Sequence, residues 1–396
     1  MRRGTALLAH SGGPTAVINA SMQGVIQRAR KLECFERFWG ARYGIEGILN
    51  ENFLDLFAES DTTLEAVGKT PSSALGTSRF ETGPEHLHNL IQILKRHEIR
   101  CLFYTGGNGS MLTARQILES ASDAHYDLQI VGIPKTIDND LLCTDHTPGY
   151  GTAARFFAHA LRDIGQDNLA LRGQVEIVEI LGRNSGWLAA ATSLARHAEG
   201  DAPHLIYLPE NRLAPEVFLA DVERCYHRFK RCVVAVCEGQ LDHTGQPFGA
   251  DVRRGSRASL AMNLAHRLAL LVTEHLGLRA RSEKPGLLGR CSGAYPSLAD
   301  RAAARLCGEA AAEAASHDAS GMMVTLERQD DPEYRIGTGL VSLARVAAGE
   351  RLFPAEWIAP TRSDILDGFI RYAQPIMGSV EPYAGLNAIQ ARQAQP

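Results

Sequence analysis

The segment Pro134-Lys135-Thr136-Ile137-Asp138-Asn139-Asp140 sets a hydroxyl and two carboxylates at alternate positions, with a lysine beside them. It follows the apolar run Gln129–Ile133, which reads as a buried strand. If the backbone stays extended past that strand, residues two apart face the same way, and Thr136, Asp138 and Asp140 point into one site. Phosphoryl transfer asks for this mixture: a base for the attacking hydroxyl, oxygen ligands for Mg²⁺ and cations against the phosphates. A hydrogen-bonded Asx turn is the other use for such a segment.

Two glycine turns could hold the phosphates. Gly12-Gly13-Pro14-Thr15 follows the run Ala6–His10, and Gly106-Gly107-Asn108-Gly109-Ser110 follows Cys101–Thr105; each precedes a helical pattern. Small residues let phosphate oxygens approach backbone amides, and a helix N-terminus adds a favourable dipole. Neither turn reads GxGxxG, which disfavours a dinucleotide site. Gly68-Lys69-Thr70 imitates the end of a P-loop, but Thr63 stands where its first glycine belongs. Arg79, in Ser78-Arg79-Phe80, and Arg183, in Leu181-Gly182-Arg183-Asn184-Ser185-Gly186, stand beside turns where a guanidinium can clamp phosphate. Surface salt bridges would use them equally well.

These residues need a scaffold, and apolar runs of strand length alternating with helical patterns predict parallel α/β architecture. Strands are expected at Ala6–His10, Cys101–Thr105, Gln129–Ile133, Val175–Ile180, His204–Leu208, Cys232–Cys237 and Met322–Leu326. Helices are expected near Thr15–Lys31, Pro84–His97, Ser110–Ser120, Thr152–Gln166, Ser185–His197, Pro215–Phe229, Ala258–His275 and Ala299–Ser316. Residues 277–297 carry Arg279, Arg281, Lys284 and Arg290 among Gly and Pro and read as a basic loop region. The ligand belongs at the strand C-terminal ends.

The whole chain has 396 residues, 41 Lys+Arg against 45 Asp+Glu, and a formal net charge of −4, so broad capture of nucleic acid or an anionic membrane surface is disfavoured. No run approaches the length of a membrane span. The eight cysteines show no CxxC spacing, which fits reduced, structural thiols in a cytoplasm.

Taken in order, Gly12–Asn19, Ser78-Arg79-Phe80, GGNGS at 106–110, PKTIDND at 134–140, Glu179–Gly186, Glu238 and GRCSGAYPSLADR at 289–301 resemble the 6-phosphofructokinase family. The longer C-terminal part is similar to the branch that includes many pyrophosphate-dependent members. The resemblance implies two Rossmann-like three-layer α/β domains with mainly parallel sheets. Residues 1–145 would bind the phosphoryl donor, with a segment around 285–320 returning to them. Residues 146–284 would bind the sugar phosphate, and residues 321–396 would form a C-terminal extension whose tail frays after about 384.

By the same resemblance, Asp138 is the base for the 1-hydroxyl of fructose 6-phosphate, Thr136 bonds the transferring group, and Arg79 and Arg183 counter its charge. The donor would lie on Gly12, Gly13, Gly107, Asn108, Gly109, Ser110 and Lys135. Thr136, Asp138, Leu181, Gly182, Arg183 and Glu238 would bind the sugar. For its 6-phosphate, Arg290 matches one position, Arg281 and Lys284 both match another, and Arg172 is an approximate match. Asn108 and Asp140 would hold Mg²⁺. A homodimer or homotetramer with shared sites is implied. Lys135 points to pyrophosphate as donor and Gly109 to ATP, while Ile45 stands where ATP-dependent bacterial relatives stack a Tyr on adenine. Asn108 and Leu287, each a departure from the common residue, leave room for a non-catalytic sugar-phosphate sensor. The balance favours reversible transfer from pyrophosphate.

Overall fold

In the computed structural model, which describes residues 4–171, 173–248, 263–329 and 333–386, strands and helices alternate along the chain. The strands are β1 (Thr5–His10), β2 (Arg37–Ala41), β3 (Phe53–Asp55), β4 (Ile99–Gly106), β5 (Gln129–Pro134), β6 (Gln174–Ile180), β7 (Leu205–Tyr207), β8 (Cys232–Cys237), β9 (Arg279–Glu283), β10 (Met322–Arg328) and β11 (Ile336–Ser342). Seven form one sheet in the order β11-β10-β5-β4-β1-β2-β3, and four form a second in the order β7-β8-β6-β9. The second sheet is parallel, and the first is parallel except where β3 and β11 turn back on β2 and β10.

The central strands β1, β5, β6 and β8 are buried along their whole length, as a parallel sheet covered on both faces requires. Such strands announce themselves as apolar runs, and all seven expected strands are present. The others carry weaker signals. β9 reads Arg-Ala-Arg-Ser-Glu with alternating exposure, because an edge strand has one face to bury and one to keep wet. Residues 277–297 are therefore not a loop throughout: they hold β9 and the short helix Leu288–Cys291. The helix expected over Ser185–His197 is also shorter, running Trp187–Ala191 before a 3₁₀ turn at Thr192–Ala195. Its first residues belong to a turn pinned by Gly186 N–H donating to Glu210 Oε1 at 2.9 Å.

Residues beyond 321 add two strands to the first sheet and pack a helix against the second. β10 pairs with β5, whereas the helix Asp367–Met377 buries Phe369, Tyr372 and Ile376 beside Trp187 and Phe157 under the second sheet. Trp187 meets Phe353, Trp357, Phe369 and Tyr372 in one aromatic cluster, with centroids 5.2 to 6.3 Å apart. Arg172 and the chain beyond 386 lie outside the described residues, as do the first residues of the helix expected over Ala258–His275, which is seen as Leu264–Leu276. Among the described residues no helix is long and apolar enough to cross a membrane. Six of the eight cysteines are buried.

The helix Leu298–Ser316 covers the first sheet beside the helix Ile18–Leu32, and two glycines set their separation. A Cβ at Gly24 would stand 2.2 Å from the Arg305 carbonyl oxygen, and one at Gly308 would stand 2.0 Å from that of Ser21. Backbone cannot move aside as a flexible side chain does, so Gly308→Ala should cost about 2–3 kcal/mol of stability. Urea unfolding of the two proteins checks this, and equal midpoints would contradict the close contact.

Candidate active site

The C-terminal ends of β1, β4 and β5 open onto one basin. Gly12 adopts φ +78°, a conformation that favours glycine, and its N–H donates to Ser78 O at 2.9 Å. The helix Asn108–Asp123 starts directly after Gly107, so its first amides face the basin. Ser110 is buried, and its side chain packs where a Cβ on Gly106 would intrude. A Cβ added at Gly109 meets nothing within 4 Å.

Lys135 joins the two glycine turns. Its N–H donates to Gly106 O at 3.0 Å and its ammonium to Gly13 O at 2.6 Å. The side chain is 3% exposed, and burial pushes its pKa down to about 8 against the opposing pull of Asp138. Below the lysine, buried His10 shares a 2.7 Å hydrogen bond with Ser73 Oγ. Burial first, then the Lys135 charge, pushes His10 down to about 3 and keeps it neutral. The sequence reading gave His10 no place in the site; nothing in its immediate neighbours marks it.

The segment after β5 does not continue as extended backbone. Asn139 adopts φ +55°, a left-handed conformation that Asn tolerates better than most residues. Its amide holds the bend, with Oδ1 accepting from Thr147 N–H and Nδ2 donating to Tyr372 Oη, each at 3.0 Å. The simple alternation expected for Thr136, Asp138 and Asp140 is thus replaced by a turn, which Asp138 N–H tightens by donating to Thr136 Oγ1 at 3.1 Å. The three still share one basin. Asp138 is pushed up to about 7, by burial and then by the Asp140 charge, against the pull of Arg183. Asp140 is raised by burial and then by Glu350. Asn108 Nδ2 donates to Asp140 Oδ2 at 3.0 Å, which leaves Asp140 Oδ1 and Asn108 Oδ1 as buried acceptors without a partner.

Three guanidinium groups crowd the opposite side. A Cβ at Gly13 would lie 3.0 Å from Arg290 Nη1 and 3.4 Å from Arg79 Nη2, and the charges of Arg183 and Arg290 both act on Arg79. Like charges gathered in this way are unfavourable until an anion lies among them. Arg183 itself is held at φ +47°. Its N–H and that of Gly182 donate to Glu238 Oε1, at 3.4 and 3.3 Å, so the carboxylate at the end of β8 fixes the arginine turn. Leu181 turns inward and packs on the core.

Lys284 pairs with buried Glu179 at 2.5 Å, and its charge reaches Glu238. Arg281 stands opposite Glu176 in the β6/β9 register, and its charge acts on that residue instead. Of the two residues that matched one phosphate position, Lys284 is the one brought to Glu238. Leu287 is 61% exposed. The sequence reading also missed Glu210 and Glu350, which act on the site from elements far along the chain.

Such a basin offers a half-buried carboxylate as base, converging cations for phosphate and unpaired acceptors for a metal ion. The family model described as phosphofructokinase matches residues 5–315, which include all of these groups but leave out Glu350 and Tyr372. A pyrophosphate–fructose 6-phosphate 1-phosphotransferase of Rhodospirillum rubrum is 39% identical, over 97% of this chain and 96% of its own. One of Xanthomonas campestris is 35% identical over 97% and 94%. The crystal structure of a pyrophosphate-dependent phosphofructokinase from Nitrosospira multiformis, 33% identical, superposes with a TM-score of 0.87 over 98% of this chain and 95% of that one. Fold, basin and matched span agree: the chain belongs to the phosphofructokinase family.

Proposed function

We propose that the protein transfers a phosphoryl group from pyrophosphate to the 1-hydroxyl of fructose 6-phosphate, giving fructose 1,6-bisphosphate and phosphate, and that it also runs the reverse reaction. The observation that carries this reading is the half-buried Asp138 carboxyl, raised above its ordinary range, facing the cluster of Arg79, Arg183 and Arg290. Asp138 takes the proton from the hydroxyl as it attacks. Arg79 and Arg183 then balance the charge that moves across the transferring group, and Thr136 orients it. Glu238 binds sugar hydroxyls, while Arg290 and Lys284 hold the 6-phosphate. The names of the relatives support both substrates.

The donor lies across Gly12, Gly13, Gly107, Asn108, Gly109 and Ser110. Asn108 Oδ1 and Asp140 Oδ1, buried and unpartnered, suit Mg²⁺, which takes oxygen ligands and shares them with substrate phosphates. When bound, the ion supplies charge neutralisation at the phosphoryl oxygens. The assembly is a homodimer or homotetramer, a reading that Leu287 and Leu288 support, since they stand 61% and 59% exposed beside Arg290. We assign the reaction to the cytoplasm, where thiols like the buried cysteines stay reduced.

Two observations favour pyrophosphate. Lys135 places its ammonium between the glycine turns, and Ile45 is 2% exposed within the core, so position 45 presents no aromatic face for adenine. The open space at Gly109 favours ATP as a second reading, because nothing there closes off a nucleotide's α-phosphate. Lys135→Met keeps much of the buried volume and removes the charge. It should lower kcat/KM with pyrophosphate by at least about tenfold, the scale of a lost charge-assisted hydrogen bond, and lower ATP use less. Equal losses with the two donors would assign Lys135 to general positioning.

A further inference from the structure

Asn139 stands between Asp138 and Asp140 in a left-handed bend, with φ +55° and a side chain that is 0% exposed. A residue other than glycine stays in that region only where its surroundings over-determine it. Its amide can lie only one way round: Thr147 N–H donates and must face Oδ1, which turns Nδ2 to the Tyr372 hydroxyl at 3.0 Å. No solvent reaches Asn139, so an Nδ2 deprived of this partner would stay unsatisfied or pull the bend with it.

Tyr372 belongs to the helix Asp367–Met377, beyond the span matched by the family model, and lies 233 residues from the bend it holds. Its hydroxyl accepts from Asn139 and donates to Asp145 O at 2.7 Å, further along the same loop. Thr147 Oγ1 donates to Thr136 O at 2.8 Å, so the phenol oxygen and Thr147 together close residues 136–147 into one unit. The ring has little freedom to follow a shift. It lies 5.2 Å from Trp357 and 5.5 Å from Trp187, and the Arg328 guanidinium stands 4.7 Å over it. Arg328 also donates to Tyr372 O at 3.0 Å and to the Asp145 carboxylate at 3.2 and 3.3 Å. A polar atom locked in place by packing in this way can hold a reacting group in register.

We propose that Tyr372 is a positioning residue for the transfer: its hydroxyl, acting through Asn139, sets the bend that aims Asp138 at the attacking hydroxyl and keeps Thr136 beside it. The inference rests on the phosphoryl-transfer reading above. By it, the helix at the C-terminal end serves the chemistry as well as the core under the second sheet.

Steady-state kinetics of three variants of the full chain test it. Tyr372→Phe removes one oxygen and keeps the ring, so kcat should fall about tenfold, short of the ~10²-fold that about 1 Å of misplacement can cost, while KM for fructose 6-phosphate holds. Phe369→Leu damages the same aromatic cluster without touching the bond to Asn139. It should lower the melting temperature more than Tyr372→Phe does and leave kcat near the wild-type value. Asn139→Gly removes the amide but keeps a residue at ease with positive φ, and in that background Tyr372→Phe should lower kcat no further, because the hydroxyl has lost the group it acts through. Wild-type kcat in Tyr372→Phe would overturn the proposal, as would an equal loss in Phe369→Leu or a full further loss in the Asn139→Gly background. A wild-type protein that binds fructose 6-phosphate but turns over neither donor would overturn the phosphoryl-transfer reading itself, and this proposal with it.

Discussion

Replacing Asp138 by Asn should lower kcat by at least ~10²-fold while the KM for fructose 6-phosphate changes little, the usual scale for removing a general base. Asn matches the carboxyl in size and still bonds its neighbours, so the loss isolates proton transfer from packing. The pH profile gives a second readout. Burial and the Asp140 charge hold Asp138 above the ordinary carboxylate range, and a base must be ionised to act. Activity should therefore rise with pH through that raised value, and this acid limb should vanish in Asp138→Asn. A variant with near-normal kcat, or with its acid limb intact, would remove Asp138 from the mechanism.

Gly239→Ala should lower kcat/KM on the order of 10²-fold, although residue 239 contributes no functional group, because a small misplacement of catalytic groups costs that much. A Cβ at 239 would lie 1.4 Å from the Arg183 carbonyl oxygen. The Arg183 turn can approach the end of β8 so closely because glycine stands there, and the approach lets Glu238 accept from both Gly182 and Arg183. Forcing the two apart moves Arg183 and Glu238 together. Circular dichroism should show the helices retained, so that the loss reflects a displaced site. Full activity in the variant would mean that the turn relaxes without moving its arginine.

The parts legible in the sequence share a physical cause. Strands buried on both faces are largely apolar, and tight turns at their ends need glycine, so β1, β4, β5 and β8 and the turns at 12–13 and 106–110 stand out, while β6 buries Glu176 and Glu179 among its apolar residues. The motif at 134–140 stood out by its residue types, but its backbone bends at Asn139 instead of staying extended. Its bend depends on Asn139 bonding Tyr372, which lies 233 residues further along. Glu210 is likewise placed by its side chain accepting from Gly186 and Phe353 N–H, and Glu350 stands next to Arg351, whose N–H donates to Asp140 O. β9 was hidden by its own charges, since pairing on one edge asks for few apolar residues. Arg281 and Lys284 both matched one position by resemblance; the fold separates them, with Arg281 opposite Glu176 in the strand register and Lys284 paired with Glu179.

The donor is the point on which the proposed function most depends. The purified protein, given fructose 6-phosphate and Mg²⁺ with either pyrophosphate or ATP, should show a clearly higher kcat/KM with pyrophosphate and should form pyrophosphate from fructose 1,6-bisphosphate and phosphate in reverse. Preference for ATP would mean that the open space at Gly109 governs the choice and that adenine binds without an aromatic at position 45. Turnover with neither donor, while fructose 6-phosphate still binds, would contradict the catalytic reading altogether.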